Sequence, residues 1–112
     1  MTPSPPMAAQ AQPFSESMAD CAALHQNLAQ FVPTDAQAET LMIAARAWAE
    51  AGVVQAQAEG RGMDIDAMWD LIDAKTDAAE QKSPAYFGTQ DFRDWSDYCR
   101  SFALHMGVET GL

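Results

Sequence analysis

Hydrophobic residues recur every three or four positions in four separate stretches of the chain, which is the spacing of one face of an α-helix. The first stretch is predicted to begin near Ser15, whose hydroxyl can cap a helix. It is predicted to end before Pro33, because the residue preceding a proline disfavours the helical conformation. The inner face of this helix consists of Met18, Cys21, Ala22, Leu24, His25, Leu28 and Phe31.

The second stretch is predicted to form a helix from about Asp35 to Glu59, and it has the clearest start signal in the chain. Thr34 and Gln37 have the spacing of a capping box, and Gly60 suits the left-handed conformation that ends a helix. Small residues recur on the inner face, so a neighbouring helix is expected to approach closely. That face consists of Ala38, Leu41, Met42, Ala45, Trp48, Ala49, Gly52 and Ala56.

The third and fourth stretches also begin with side chains that cap helices. Asp64 is the predicted N-cap of the third helix, and Thr89 is that of the fourth, which runs from Gln90 to Gly107. The inner face of the third helix consists of Ile65, Met68, Trp69, Ile72, Thr76 and Ala79. The fourth helix carries Trp95, Cys99, Phe102 and Met106 on one side.

Residues 14–112 are therefore predicted to form one all-α domain, a single-domain four-helix up-down-up-down bundle with short connections. The chain of 112 residues is long enough for a single modest core. Hydrophobic residues make up 48% of the chain, and 22 residues are alanine, which favours helix and buries little area. Close helix packing is expected, and the scarcity of β-branched residues disfavours a sheet.

Residues 1–13 are predicted to be a flexible arm or the remnant of a signal sequence. This segment contains four prolines and no charged residue, which rules out a continuous helix. Ala9-Gln10-Ala11 resembles the small-x-small end of a signal cleavage site, which indicates export.

The two cysteines, Cys21 and Cys99, are predicted to form a disulfide that joins the first and last helices. In an antiparallel bundle, the end of the fourth helix lies beside the start of the first. The two residues then lie about 9 Å and about 11 Å from the same end of the bundle, from the helical rise per residue. A bridge that closes so long a loop stabilises a fold by about 4 to 5 kcal/mol in the loop-entropy model.

A metal site is the alternative use of these cysteines. Cys21 and His25 are four residues apart, which places two metal ligands on one helical face, and Cys99 could supply a third. His105 is too far along the bundle axis to complete a four-ligand site. The alternative function is therefore a metal- or cofactor-binding bundle that uses Cys21, His25 and Cys99, whereas the preferred hypothesis involves no cofactor.

The net charge of −10 comes from sixteen acidic and six basic residues. Such a chain repels nucleic-acid backbones and anionic lipid surfaces. The sequence also contains no run of about eighteen apolar residues, the length that a helix needs to cross a membrane. The charge is expected to keep the protein in solution or to attract a basic protein partner.

The loop from Ser83 to Thr89 is distinctive because Tyr86 and Phe87 place aromatic side chains where loops are usually polar. These rings either fold back over the end of the bundle or form a contact surface. We predict that they form an interaction surface together with an acidic stripe on the third helix. The stripe consists of Asp66, Asp70, Asp73 and Asp77.

The sequence predicts a small acidic exported protein that acts by protein–protein interaction, as an inhibitor or immunity protein or as an accessory subunit. It is not expected to be an enzyme, because no nucleophile is accompanied by an orienting acid or an oxyanion loop. The even number of cysteines favours the periplasm or secretion, with the cytoplasm as the alternative location.

Overall fold

The computed structural model describes residues 12–82 and 84–112. Within them the chain forms α1 (Phe14–Ala29), α2 (Asp35–Ala58), α3 (Ile65–Glu80) and α4 (Gln90–Met106), with a short 3-10 helix (Pro84–Gly88) before α4. The described residues contain no β-strand. The predicted arm at residues 1–13 lies outside the described residues, apart from Gln12 and Pro13.

The helices form the predicted antiparallel four-helix bundle, and α1 contacts each of the other three. At one end the ring of Phe14 packs edge-on against Phe102 near the end of α4, with 5.3 Å between ring centroids. At the other end Phe31, just after α1, packs against Phe87, just before α4, at 5.1 Å. The first and last helices therefore run in opposite directions along their whole contact.

Local capping explains where three of the helices begin. Each predicted cap accepts a hydrogen bond from the backbone N–H three residues further on, as Thr34 does from Gln37, Asp64 from Ala67 and Thr89 from Phe92. These bonds satisfy amide groups that have no partner within the helix. The three starts were predicted correctly from the sequence.

The predicted cap of α1 is wrong. Pro13, not Ser15, occupies the N-cap position, and it provides no side-chain cap. Ser15 is buried, and its hydroxyl donates to Oε1 of Glu59 at 2.6 Å while its backbone N–H donates to Oε2 at 3.1 Å. A carboxylate from the end of α2 thus caps the start of α1.

The core lies where aromatic residues of α2 and α4 meet the small residues of α1. Trp48 and Phe102 are fully buried and stack at 5.5 Å, and Tyr98 stacks on Phe102 at 5.0 Å. Gly52 faces α3 so closely that a Cβ atom there would lie 3.0 Å from the Cε of Met68. The close packing predicted from small residues is therefore present.

Exceptions to the predicted inner faces occur at helix ends. Ile65, at the start of α3, is 42% exposed, and Phe31 is 48% exposed. Within the described residues, every helix is too short or too polar to cross a membrane.

Candidate functional site

The structure joins Cys21 and Cys99 in a disulfide. Their Cα atoms are 5.7 Å apart, they are separated by 78 residues in sequence, and both side chains are buried. The bridge links the middle of α1 to the middle of α4, as the antiparallel topology predicted. It closes most of the domain into one covalent loop.

The disulfide removes two of the three ligands in the alternative metal site. A cysteine binds a metal as a thiolate, and in this structure the sulfur atoms of Cys21 and Cys99 are bonded to each other. Burial lowers the pKa of His25 to about 4, so the neutral ring is part of the core. Over residues 12–82 and 84–112 no group of three or more histidine, cysteine or acidic side chains is placed to hold a metal ion. The site formed by Cys21, His25 and Cys99 therefore requires reduced protein.

The aromatic side chains of the predicted contact loop fold back over the end of the bundle. Phe87 packs edge-on against Phe31 and Phe92, at 5.1 Å from each ring. Tyr86 contacts Phe92 at 6.0 Å and donates a hydrogen bond to Asp91 at 2.6 Å. Burial, followed by that hydrogen bond and nearby negative charge, raises the pKa of Tyr86. Both side chains are half-buried, so only part of each ring can contact a partner.

The predicted acidic stripe is exposed along α3, although Asp73 also accepts a hydrogen bond from Gln26 of α1. Tyr86 lies beside the opposite side of α3, where Lys75 and Lys82 line the same cleft. These lysines are about half a turn around the helix from the stripe. The structure therefore does not join the two aromatic residues and the four aspartates into one continuous surface. The aspartates are Asp66, Asp70, Asp73 and Asp77.

The cleft beside Tyr86 has a volume of about 340 Å³ and lies between α1, α3 and α4. Its charged groups largely pair with one another, since Lys75 lies 2.9 Å from Asp20 and 3.4 Å from Glu16. The ammonium group of Lys82 lies over the ring of Tyr86, 4.8 Å from its centroid. The cleft is thus lined by two lysines and one aspartate, of which Lys75 and Asp20 are paired, and its charged groups are already engaged within the protein.

A second concavity, which we call the α2–α4 groove, has a more uniformly apolar lining than this cleft. It has a volume of about 390 Å³ and lies between the outer side of α2 and the end of α4. Its apolar lining consists of Met18, Ala47, Ala51, Val54, Met106 and Val108. Glu50 and Glu109 stand at its rim, and among the described residues neither forms an ion pair.

Large apolar side chains extend the groove onto exposed surface. Val54 is 68% exposed, and Ile43, further along the same side of α2, is 48% exposed. Ile43 lies one helical turn before Ala47 of the groove lining, so an apolar strip continues from the α2–α4 groove along this side of α2.

The sequence contained one signal for this groove that the inner-face pattern obscured. Ile43, Ala47, Ala51 and Val54 follow one another at intervals of four, four and three residues, which forms a second helical stripe opposite the buried one. The other wall could not be predicted in this way. It depends on the chain turning at Gly107, which has a φ of 70°, and on Val108 bonding back to Ala103 at 2.9 Å.

Comparisons with protein-family models, curated proteins and solved structures give no match for this chain.

Proposed function

We propose that this protein is an exported, non-catalytic binding protein that docks another protein in the α2–α4 groove. The observation that supports the proposal most directly is the exposed apolar strip on α2, where Val54 is 68% and Ile43 is 48% exposed. Fully burying such a side chain stabilises a protein by about 1.5 to 3 kcal/mol, so leaving each of these partly in water forgoes roughly half of that. Contiguous apolar surface with a polar rim is typical of protein-interaction sites.

The charge of the molecule indicates the kind of partner. With a net charge of −10, the protein attracts basic proteins over long distances and repels acidic ones. Glu50 and Glu109 bring negative charge to the rim of the apolar groove. A basic enzyme that is inhibited or neutralised by binding, or a basic subunit of a larger assembly, fits both features.

The disulfide supports a location outside the reducing cytoplasm. Disulfides persist in the periplasm and in secreted proteins and are rare where thiols are kept reduced. The bridge also fixes α4 against α1, which holds one wall of the groove in place. A preorganised groove loses less conformational entropy on binding than a mobile one.

The acidic stripe on α3 and the pair Tyr86 and Phe87 are proposed as secondary contacts. The stripe is exposed and adds to the negative field, so we assign it to the attraction of the partner. The half-buried rings contribute at most the edges that remain accessible.

The proposal is tested by capturing partners from the native source with immobilised wild-type protein and two variants. Val54→Asp places a carboxylate in the groove, whereas Leu104→Asp makes the same change at a residue that is 83% exposed and lies outside the groove lining. We expect Val54→Asp to lose the partner and Leu104→Asp to keep it. Capture that is equal for both variants would contradict the proposal, provided that circular dichroism shows both to be folded.

A Tyr86→Ala, Phe87→Ala double variant tests the secondary contacts in the same assay. We expect it to retain most of the captured partner, because the two rings are largely engaged with Phe31 and Phe92. If the double variant lost the partner while Val54→Asp kept it, the docking surface would lie at the loop and not at the groove.

A further inference from the structure

We infer that the segment docked in the α2–α4 groove is an amphipathic α-helix of the partner, with lysine or arginine residues flanking its apolar face. This inference rests on the proposed function, because it specifies what the same groove binds.

The backbone chemistry of the walls favours a helical occupant. One wall is the middle of α2, where the peptide groups are already bonded within the helix. The other wall is the end of α4, where Val108 has bonded back to Ala103. An extended segment would bury its own N–H and C=O groups without ladder partners, at a cost of about 1 to 3 kcal/mol each. A helix satisfies these groups internally.

The lining of the groove matches the apolar face of a helix. Met18 forms the floor and is 2% exposed, while Val54 and Met106 line the sides. Methionine side chains are flexible and adapt to the shape of the groups packed against them. The strip from Ile43 to Val54 extends over about three turns of α2. A helical occupant with apolar residues at three- and four-residue intervals could contact the strip over this whole length.

Charge favours a basic occupant and disfavours a second copy of this chain. Lysine or arginine beside the apolar face can reach the carboxylates of Glu50 and Glu109, which have no ion-pair partner within residues 12–82 and 84–112. Two copies of the chain would instead bring together net charges of −10 each, and like charges in contact are destabilising.

The test uses a fluorescent model peptide of about 20 residues, which exceeds the length of about 12 to 15 residues below which an isolated helix is marginal in water. It carries leucine at three- and four-residue intervals and lysine on both flanks. Fluorescence anisotropy measures its affinity for the wild-type protein, for Val54→Asp and for Leu104→Asp. Two matched peptides serve as controls, one with glutamate in place of each lysine and one with a central proline that breaks the helix.

We expect the lysine peptide to bind the wild-type protein and Leu104→Asp equally, and Val54→Asp at least about tenfold more weakly. Both aspartate variants add the same negative charge, so non-specific attraction would strengthen with either of them. A selective loss at position 54 therefore reports apolar docking. The glutamate and proline peptides should bind at least about tenfold more weakly than the lysine peptide.

Equal binding of the lysine peptide to both variants, equal binding of the proline peptide, or no binding would overturn the inference. The capture experiment separates this failure from failure of the proposed function. If Val54→Asp still loses the native partner while the peptide fails to bind, the groove remains the docking site and its occupant is not a basic helix. If Val54→Asp also keeps the native partner, the proposed function fails too.

Discussion

At the scale of single residues, His25 gives the fold a defined sensitivity to acid. The ring is 9% exposed, and burial lowers its pKa from 6.5 to about 4. Between these two pH values the unfolded chain binds a proton that the folded protein does not, so stability falls as the pH falls. Stability is unaffected by this residue above about pH 6.5. The inner-face spacing of α1 was sufficient to place His25 in the core.

We predict that lowering the pH from about 7.5 to about 4.5 costs the wild-type protein about 2 to 3 kcal/mol through His25. His25→Leu should lose less stability over this range than the wild-type protein does. His105→Gln, at an exposed position of α4, is the matched control and should lose as much as the wild type. Denaturant unfolding at the two pH values measures the difference. An equal loss in all three proteins would show that His25 does not titrate in this way.

Glu59 was not recognised from the sequence, because its role depends on α2 ending beside the start of α1. Burial raises the pKa of its carboxyl group, but hydrogen bonds from Ser15 and Gln55 and the charge of Arg61 together bring the pKa below 4.5. The folded protein therefore stabilises the ionised carboxylate of Glu59 relative to the unfolded chain. Its contribution is complete above about pH 4.5 and is lost as the pH falls through the lower, folded-state pKa.

We predict that Glu59→Gln destabilises the protein by about 1 to 2 kcal/mol at neutral pH, because the amide cannot accept both Ser15 bonds as a carboxylate does. Glu39→Gln is the control, since Glu39 forms only an exposed ion pair with Arg46, which is worth little. Denaturant unfolding at neutral pH should separate the two variants. A loss in Glu39→Gln as large as that in Glu59→Gln would contradict the capping role.

At the scale of helices, the sequence predicted best what depends on near neighbours in the chain. The side chains of Thr34, Asp64 and Thr89 each accept a hydrogen bond from a backbone N–H three residues further on, so the local sequence pattern is enough to predict where these helices begin. The error at Ser15 has the opposite cause, because its partner Glu59 is 44 residues distant. The loop before α4 folds into a short 3-10 helix over Pro84–Gly88, which places its aromatic rings against Phe31 and Phe92.

The contact between α2 and α3 at Gly52 provides a prediction for helix packing. A Cβ at this position would already lie 3.0 Å from Met68, whose side chain is fully buried. We expect Gly52→Leu to destabilise the protein by about 1 to 3 kcal/mol or more, because overpacking forces neighbouring side chains from their preferred positions. Ala58→Leu, at an exposed position of the same helix, should change the unfolding free energy by less than about 0.5 kcal/mol. Similar losses in both variants would show that α2 and α3 do not pack closely here.

At the scale of the whole molecule, the antiparallel topology makes the disulfide predictable, whereas only the α2 wall of the groove has a signal in the sequence. The position of a residue along the axis of a helix follows from residue counts, so the sequence alone predicts that Cys21 and Cys99 lie side by side in adjacent antiparallel helices. The other wall of the groove depends on the chain turning at Gly107, so that Val108 bonds back to Ala103, and the pattern along α2 does not encode where that turn lies. For the same reason the aromatic loop and the acidic stripe could not be recognised as lying on different sides of α3.

We propose that the protein works as a covalently closed bundle outside the reducing cytoplasm, where a disulfide such as Cys21–Cys99 persists. The most direct measurement is the number of free thiols in protein from its native source, denatured in the presence of an alkylating agent and without reductant, so that the buried cysteines are accessible. We predict that neither Cys21 nor Cys99 is alkylated unless reductant is added first, since the two sulfurs are bonded to each other. Alkylation of both cysteines without reductant would contradict the closed bundle and the proposed location together.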